Sequence, residues 1–226
     1  MSSRLIAIGD IHGCDTALRA LIDAIQPTAE DTLVALGDYV DRGPNSKGVI
    51  DQLIQLRGQC NLVALQGNHE EMMLDVIKDK KPHFRWLQYG GVETLDSYGF
   101  VGDLDIIPPE HHEFFDSMVN FHESDEFIFT HANYDATLSL QEMDVHTLRW
   151  LKLTDVTPPP HQSGKRVVVG HTHDRGGEIF DMGYVLCIDT YCYGGFWLTA
   201  YDVANDEIWQ ANNEGETRHQ PPGNPS

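Results

Sequence analysis

Six side chains that could bind metal ions stand just after five short apolar runs of the chain. They are Asp10 and His12 after residues 5–8, Asp38 after 33–36, Asn68 after 62–65, His131 after 127–129 and His171 after 167–169. Carboxylate and amide oxygens with imidazole nitrogens, and no thiolate, suit manganese, iron or zinc rather than a structural zinc site of the cysteine type. Asp10 and His12 are two residues apart, so in an extended segment both side chains can reach one ion.

Each of these residues has a simpler explanation when it is taken alone. An Asp at a strand end, or Asn68 before a helix, often caps that helix. A single His at such a place is more often a hydrogen-bonded structural residue. The combination favours a metal site, because five helix caps would not need to include three histidines.

The apolar runs themselves predict buried strands, since each is short and continuously apolar. Amphipathic helical patterns separate the first three runs, which predicts a parallel sheet with right-handed crossovers. Ligands bind at the carboxyl ends of such strands, so the five segments should converge on one cleft. We expect one domain over residues 1–211, with a mostly helical stretch over 82–124 covering one edge of the site. Strands should follow at 184–188, 196–201 and 207–209, and a disordered tail at 212–226.

The overall charge excludes some partners. Lys and Arg number 15 against 35 Asp and Glu, a formal net charge of −20 in 226 residues. So acidic a surface should repel nucleic acid and anionic lipid. No run approaches the roughly 18 apolar residues that span a membrane, and no secretory signal is visible. Four scattered cysteines without a CxxC pair predict a reduced, cytoplasmic protein in which they are apolar fillers. The sequence indicates no oligomeric state.

The five motifs together resemble those of the PPP family of metal-dependent phosphoprotein phosphatases, in that family's order. They are GDIHG at 9–13, GDYVDRG at 37–43, GNHE at 67–70, His131 within FTHA, and GHTH at 170–173. The segments YGGVETL at 89–95, SYG at 97–99 and IDT at 188–190 resemble the compact bacterial members. The resemblance implies an α/β protein with the calcineurin-like metallophosphoesterase fold, a four-layer αββα sandwich with two mixed sheets.

The resemblance also implies a centre of two divalent metal ions, with manganese expected first and iron or zinc as alternatives. Asp10, His12 and Asp38 would hold one ion. Asp38 would bridge to the second ion, which Asn68, His131 and His171 would complete. Water activated by the two ions would attack phosphorus in line with the leaving oxygen.

Further roles follow from the same resemblance. His69 would be the general acid, with Asp41 orienting its imidazole. Arg42 would bind the phosphate with its planar fork, together with Asn68. The family usually supplies a second Arg, for which Arg149 is favoured and Lys152 is the alternative. His173 could line the cleft or lie at the surface, and His111, His112 and His161 are interpreted as surface residues.

The function expected from this resemblance is a metal-dependent phosphomonoesterase, with protein serine/threonine phosphatase as the first hypothesis. Its substrate would be a phosphorylated protein or a small phosphoester. A hydrolase of symmetrical dinucleoside polyphosphates, such as diadenosine tetraphosphate, is the alternative. The phosphatase is preferred because only Lys78, Lys80, Lys81 and Arg85 form a basic cluster in the sequence. A binding module that has lost activity should lack a ligand or the acid, and none is missing.

Overall fold

Two mixed β-sheets packed face to face form the centre of the protein in the computed structural model, which describes residues 3–79 and 83–220. The strands are β1 (Leu5–Ile8), β2 (Thr32–Ala35), β3 (Asn61–Ala64), β4 (Phe121–Glu123), β5 (Phe127–Thr130), β6 (Arg166–Val169), β7 (Phe180–Asp181), β8 (Val185–Cys187), β9 (Leu198–Asp202), β10 (Glu207–Ala211) and β11 (Thr217–Gln220). One sheet has the order β11-β10-β9-β1-β2-β3 and the other β4-β5-β6-β8-β7.

The strands that precede the candidate ligands are parallel within each sheet. In the first sheet β1, β2 and β3 are parallel, and in the second β5, β6 and β8 are parallel. Their carboxyl ends therefore point to the same edge of each sheet. The antiparallel strands lie at the outer positions, where β9 pairs with β1 and the β9–β10 hairpin turns at 203–206. The expected parallel strands and the later hairpin are confirmed.

The helices lie mostly on the outer face of the first sheet. They are α1 (Asp15–Ile25), α2 (Ser46–Leu56), α3 (Asn68–Asp79), α4 (Phe84–Trp86), α5 (Val92–Ser97), α6 (Pro109–Asp116) and α7 (Val145–Arg149), and a π-turn joins α4 to α5. Leu18, Leu21 and Ile25 recur at helical spacing, and all three are buried against the sheet. Burial of one such side chain stabilises the fold by about 1.5–3 kcal/mol. A charge at Leu21 would therefore break this packing.

Three apolar cores separate the layers. Ala7 and Val34 of the first sheet pack with Val168 and Leu186 of the second, so the sheets meet directly. A larger core lies beneath α1 and α2. The third core, on the outer face of the second sheet, is covered by α7, a 3-10 turn and loops rather than by long helices. The predicted α/β fold with two mixed sheets is confirmed, and the fourth layer is largely irregular.

The structure differs from the sequence interpretation at three places. Residues Thr217–Gln220 form β11, which pairs with β10, so this part of the expected tail extends the sheet; residues 221–226 lie outside the described part. His111 is fully buried, where its ring bonds Tyr98 and Asp51 at 2.7 and 2.9 Å. His161 is also buried, with its ring bonded to Ser163 and the Leu138 carbonyl. The surface interpretation of both histidines is wrong, because each polar ring replaces water with protein partners.

No helix within the described ranges is both long and apolar enough to cross a membrane. The four cysteines are all buried as free thiols. The helical stretch expected over 82–124 is present as α4, α5 and α6, with irregular chain over 98–108.

Candidate active site

All six sequence-predicted ligands meet at the carboxyl edge of the two sheets. The first sheet supplies Asp10, His12, Asp38 and Asn68, and the second supplies His131 and His171. Asp38 lies between the two sets: one carboxylate oxygen is 3.4 Å from His12 Nε2, and the other is 3.4 Å from His131 Nε2. A carboxylate so placed can bridge two cations, one on each oxygen.

Two groups of side chains could hold a metal ion. One is His12, Asp38 and His69, and the other is Asp38, His131 and His171; within each group the ligand atoms lie within 4.8 Å of one another. Asn68 Oδ1 is 3.1 Å from His131 Nε2, which places it beside the second group.

Asp10 connects the two sheets at this edge. Its two carboxylate oxygens accept the backbone N–H of His171 at 3.1 and 3.0 Å, so it ties the ends of β1 and β6 together. His69, rather than Asp10, completes the three-residue group around His12.

The hydrogen bonds of the three histidine ligands fit a metal centre. His12 Nδ1 lies 2.9 Å from the Val40 carbonyl, and His131 Nδ1 lies 2.8 Å from the Leu36 carbonyl. His171 uses Nε2 instead, 3.1 Å from the Trp150 carbonyl. A carbonyl can only accept, so each of these nitrogens carries the proton and the other nitrogen of the ring keeps a lone pair. Metal-binding histidines are typically oriented in this way.

The buried carboxylates at this edge also fit a metal centre. Asp10, Asp38 and Asp189 are all buried near one another. Burial, then the neighbouring carboxylates, raises the pKa of Asp10 well above its usual value. Burial raises the pKa of Asp189 to about 6, and one Asp189 oxygen has no hydrogen-bond partner among the residues that the structure describes. Divalent cations would stabilise these charges. Asp189 received no role from its sequence, although its place just after β8 matches that of the other ligands.

Burial and neighbouring charges also shift the pKa values of the three proposed histidine ligands. Burial, then the neighbouring Arg42 and His69, lowers the pKa of His12 well below its usual value. Burial, then His131, lowers that of His171 to about 3. Burial alone would also favour neutral His131, but the Asp38 carboxylate outweighs it and raises the pKa of that ring. Neutral imidazoles at His12 and His171 are the form that binds metals.

His69 is held beside this centre by Asp41. The His69 Nδ1 to Asp41 Oδ2 distance is 2.6 Å, and His69 Nε2 is 3.9 Å from Asp38. Asp41 is fully buried and also accepts hydrogen bonds from the Trp86 indole at 3.0 Å and the Thr94 hydroxyl at 2.7 Å. Three donors thus fix one carboxylate, which fixes the His69 ring. Trp86 and Thr94 were not recognised from the sequence, because they lie 45 and 53 residues from Asp41.

The backbone around these side chains is strained. Asp38, Asp41, Arg42, His12 and His171 all have positive φ, between 46 and 73°. Such values are uncommon for residues with a side chain, and they cluster at functional sites. Buried Glu70 holds the loop after β2 by accepting the N–H groups of Asp38 at 2.8 Å and Tyr39 at 2.7 Å. Burial raises the pKa of Glu70 to about 7.

Arg42 reaches into the cleft from the same loop. Its Nη1 is 3.0 Å from His12 Nε2, and its guanidinium carbon lies 4.5 Å from the centre of the Tyr193 ring. The Arg42 N–H donates to the Gly90 carbonyl at 3.2 Å. A side chain at Gly90 would collide with that Arg42 nitrogen, since a Cβ there would lie 2.3 Å away. The Gly90 turn therefore fixes Arg42. Tyr193 was missed, because no spacing in the sequence connects it to Arg42.

Arg149, the favoured second phosphate ligand, is engaged elsewhere. Its guanidinium donates to Glu71 at 2.7 Å and to Asn120 at 2.5 Å. The structure therefore does not place Arg149 with a free fork at the metal ligands. Lys152 is exposed. Together with burial, its positive charge lowers the pKa of both His171 and His173. Lys80 and Lys81 of the expected basic cluster lie outside the described residues.

Comparison with known proteins identifies the family. Residues 3–195 match the calcineurin-like phosphoesterases. This match covers most of the chain, so the protein belongs to that family. Phosphoester hydrolysis with divalent metal ions is the chemistry of its members, and the two His and Asp groups could bind such ions.

Relatives of known description fall into two classes. A symmetrical bis(5'-nucleosyl)-tetraphosphatase of Paracidovorax citrulli is 45% identical over 94 residues, which are 41% of this chain and 33% of that protein. Serine/threonine-protein phosphatase 1 of Salmonella typhimurium is 38% identical over 85 residues, 37% of each chain. These matches span about a third of each relative. A solved serine/threonine phosphatase of Saccharomyces cerevisiae shares the fold, with a TM-score of 0.62, 16% identity, and coverage of 97% of this chain and 79% of that one.

Proposed function

We propose that this calcineurin-like phosphoesterase hydrolyses phosphoesters with water activated by two divalent metal ions. The observation that carries the proposal is the convergence of two ligand groups on one shared carboxylate, Asp38. The six predicted ligands Asp10, His12, Asp38, Asn68, His131 and His171 are its metal-binding residues. Manganese is proposed first, because oxygen and imidazole donors suit it, with iron or zinc as alternatives. We also propose a cytoplasmic location.

The chain's own residues then have distinct tasks. When bound, the two cations lower the pKa of water and offset charge on the phosphoryl oxygens. His69 donates a proton from Nε2 to the leaving oxygen, since its Nδ1 is held by Asp41. General acid help of this kind contributes about 10² to 10⁴ in rate. Asp41 keeps the imidazole oriented through the proton transfer, because Trp86 and Thr94 prevent the carboxylate from turning.

Arg42 and Asn68 bind the phosphate. Arg42 offers a planar pair of donors that matches two phosphoryl oxygens, and Tyr193 holds it in place from one side. Arg149, bonded to Glu71 and Asn120, supports the wall of the cleft rather than the phosphate itself. Lys152, exposed two residues after Trp150, whose carbonyl bonds His171, offers a second positive charge at the outer end of the cleft.

Two substrate classes are supported. A phosphoprotein is favoured by the bacterial serine/threonine phosphatase among the relatives. A dinucleoside polyphosphate is favoured by the other relative and by one observation of this chain. Exposed Lys152 and Arg175 are the chain neighbours of Leu153 and Asp174, which line one cavity together with His173. Few basic residues cluster in the sequence, which disfavours a polyphosphate, but these two adjoin the same cavity although they are distant in sequence.

The test compares three substrates with manganese-loaded protein. They are p-nitrophenyl phosphate, a phosphoserine peptide and diadenosine tetraphosphate, and the His69→Asn variant is measured beside the wild type. Release of phosphate that requires metal and falls in the variant supports the proposed chemistry. Absence of turnover on all three substrates, with metal bound, would instead identify a binding module. The ratio of the peptide and dinucleotide values of kcat/KM decides between the substrate classes.

A further inference from the structure

A row of aromatic rings leads away from the metal-binding residues. The Tyr193 ring lies 4.9 Å from the His12 ring, and Tyr191 follows at 4.7 Å from Tyr193. His173 then stacks on Tyr191 with 4.5 Å between ring centres and only 10° between the planes. Phe196 stacks near the other side of Tyr191, at 6.1 Å. The row connects the candidate catalytic centre to His173 by three contacts of less than 5 Å each.

A cavity of about 200 Å³ opens beside His173. Its walls are largely apolar, with Leu153 from a loop and Phe180 from β7 among the residues that line it. Thr154 and Asp174 add polar groups at its rim. Ligand sites for whole small molecules usually measure about 300–1,000 Å³, so this cavity suits one flat ring system rather than a complete nucleotide.

Asp174 can take part in recognition with one oxygen. Its Oδ1 accepts the Gly176 N–H at 2.7 Å, which fixes the carboxylate at the rim. An adenine presents the N6 amine as a donor, which a carboxylate can accept. The ring of His173 offers a flat face on which a base can stack.

Basic side chains adjoin the cavity in a chain whose net charge is −20. Lys152 and Arg175 are exposed and stand directly beside Leu153 and Asp174, which line the cavity. Arg42 lies 4.5 Å from the centre of the Tyr193 ring, which is 6.1 Å from the His173 ring. A phosphotyrosine or phosphoserine puts its single phosphate at the metal centre and leaves no second anion for these cations. A leaving group that carries further phosphates would place them here.

We propose that the cavity beside His173 binds a nucleobase of the substrate's leaving group, while Lys152 and Arg175 next to it hold the phosphates that connect the base to the reacting phosphorus. The ligand class is a nucleoside di- or polyphosphate, with adenine matching the Asp174 carboxylate. This inference rests on the second substrate class of the proposed function. It assigns specificity to residues outside the five motifs.

The experiment measures binding rather than turnover. Dissociation constants of ADP and of pyrophosphate are determined by calorimetry on the manganese-loaded protein. The base should make ADP bind about tenfold more tightly than pyrophosphate, since stacking of one base is commonly of that order. Thr154→Trp fills the cavity from an exposed position, and His173→Ala removes the stacking surface. Both should bring the ratio of the two constants close to one.

Val156→Trp is the matched control, because Val156 is 50% exposed on the same loop and does not line the cavity. It should keep the wild-type ratio. A wild-type ratio near one, or an unchanged ratio in both cavity variants, would overturn the inference. A phosphoserine peptide that binds more weakly in both cavity variants would also overturn it. Hydrolysis of p-nitrophenyl phosphate is measured separately: its absence counts against the proposed chemistry, whereas the ADP ratio alone decides the base site.

Discussion

The cleft has two parts that are built in opposite ways. The inner site consists of the six proposed ligands with His69 and Asp41, almost all of them buried, on a strained backbone. The outer cleft consists of Lys152, Arg175, His173 and the tyrosines beside it, which are half-buried or exposed and come from separate loops. The inner site can hold atoms in place for a reaction, and the outer cleft can vary without disturbing it.

Such a division would allow one fold to act on different substrates. The inner site depends on side chains that hold one another in place, so a change there should affect the chemistry for every substrate. The outer cleft, as proposed above, would contact the leaving group alone.

The largest effect is expected from His69→Asn in the inner site. The variant removes the proton donor, so kcat for a phosphoserine peptide should fall by about 10² to 10⁴. The fall should be smaller for p-nitrophenyl phosphate, whose leaving group needs little protonation. Steady-state kinetics on both substrates measures this contrast. His112→Asn, on the outside of α6, is the control and should retain activity; equal losses on both substrates would rule out the acid role.

A smaller effect is expected from Arg42→Lys, which keeps the charge but loses the paired donors. Loss of one bidentate contact should raise KM about tenfold for all substrates, since charged hydrogen bonds contribute about 1.5–3 kcal/mol. Kinetics with p-nitrophenyl phosphate and the dinucleotide provides the measurement. If KM rose for only one of the two substrates, Arg42 would belong to the outer cleft rather than to the inner site.

In the outer cleft, Lys152→Met and Arg175→Met should act on one substrate class. We expect KM for diadenosine tetraphosphate to rise about three- to tenfold, with little change for p-nitrophenyl phosphate, because only the former extends to these exposed charges. The increase should shrink at about 1 M salt, where the screening length falls to about 3 Å. Similar changes for both substrates would show that these residues serve the chemistry rather than the leaving group.

The smallest effect on catalysis is expected at the opposite edge of the sheet, where Asp31 pairs with Arg4 at 2.7 Å. The Arg4 hydrogen bond holds the pKa of Asp31 well below its usual value. A carboxylate whose pKa is lower in the folded than in the unfolded protein stabilises the fold at pH values above the unfolded pKa of about 4. This stabilisation is lost as the pH falls from there toward the folded pKa. Asp31→Asn should therefore lower the free energy of unfolding by about 2 kcal/mol at pH 7, and the difference should shrink below pH 4.

Urea unfolding at pH 7 and below pH 4, with kinetics at pH 7, measures the effect of Asp31→Asn. A loss of activity without a loss of stability would contradict this separation.

The inner site was largely predictable from the sequence, because its side chains belong to short contiguous motifs at strand ends. Asp10, His12, Asp38, Asn68, His131 and His171 were all identified in this way. The structure places His12, Asp38, His131 and His171 in two groups that could hold metal ions, with Asn68 beside His131 and Asp10 on the backbone of His171. The residues that hold Asp41 in place were harder to predict. Trp86 and Thr94 reach Asp41 only through the folded path of the chain over 84–97.

The outer cleft could not be predicted, since its parts are meaningful only in space. Lys152 and Arg175 are distant in the sequence, yet they stand directly beside Leu153 and Asp174, which line the same cavity. The choice of Arg149 over Lys152 followed the residue type that suits phosphate, but Glu71 and Asn120 compete for that guanidinium. The end of the chain was also misjudged. Residues 217–220 are polar, as a tail would be, but they pair with the edge strand β10 through the backbone.

The central claim is that one shared carboxylate joins two metal sites. Equilibrium dialysis against manganese, followed by elemental analysis, would count the ions bound to the wild type, His171→Ala and Asp38→Ala at one free metal concentration. The account predicts two ions for the wild type, one for His171→Ala and none for Asp38→Ala, with circular dichroism confirming that each variant is folded. A single ion in the wild type, or two ions retained by Asp38→Ala, would contradict it.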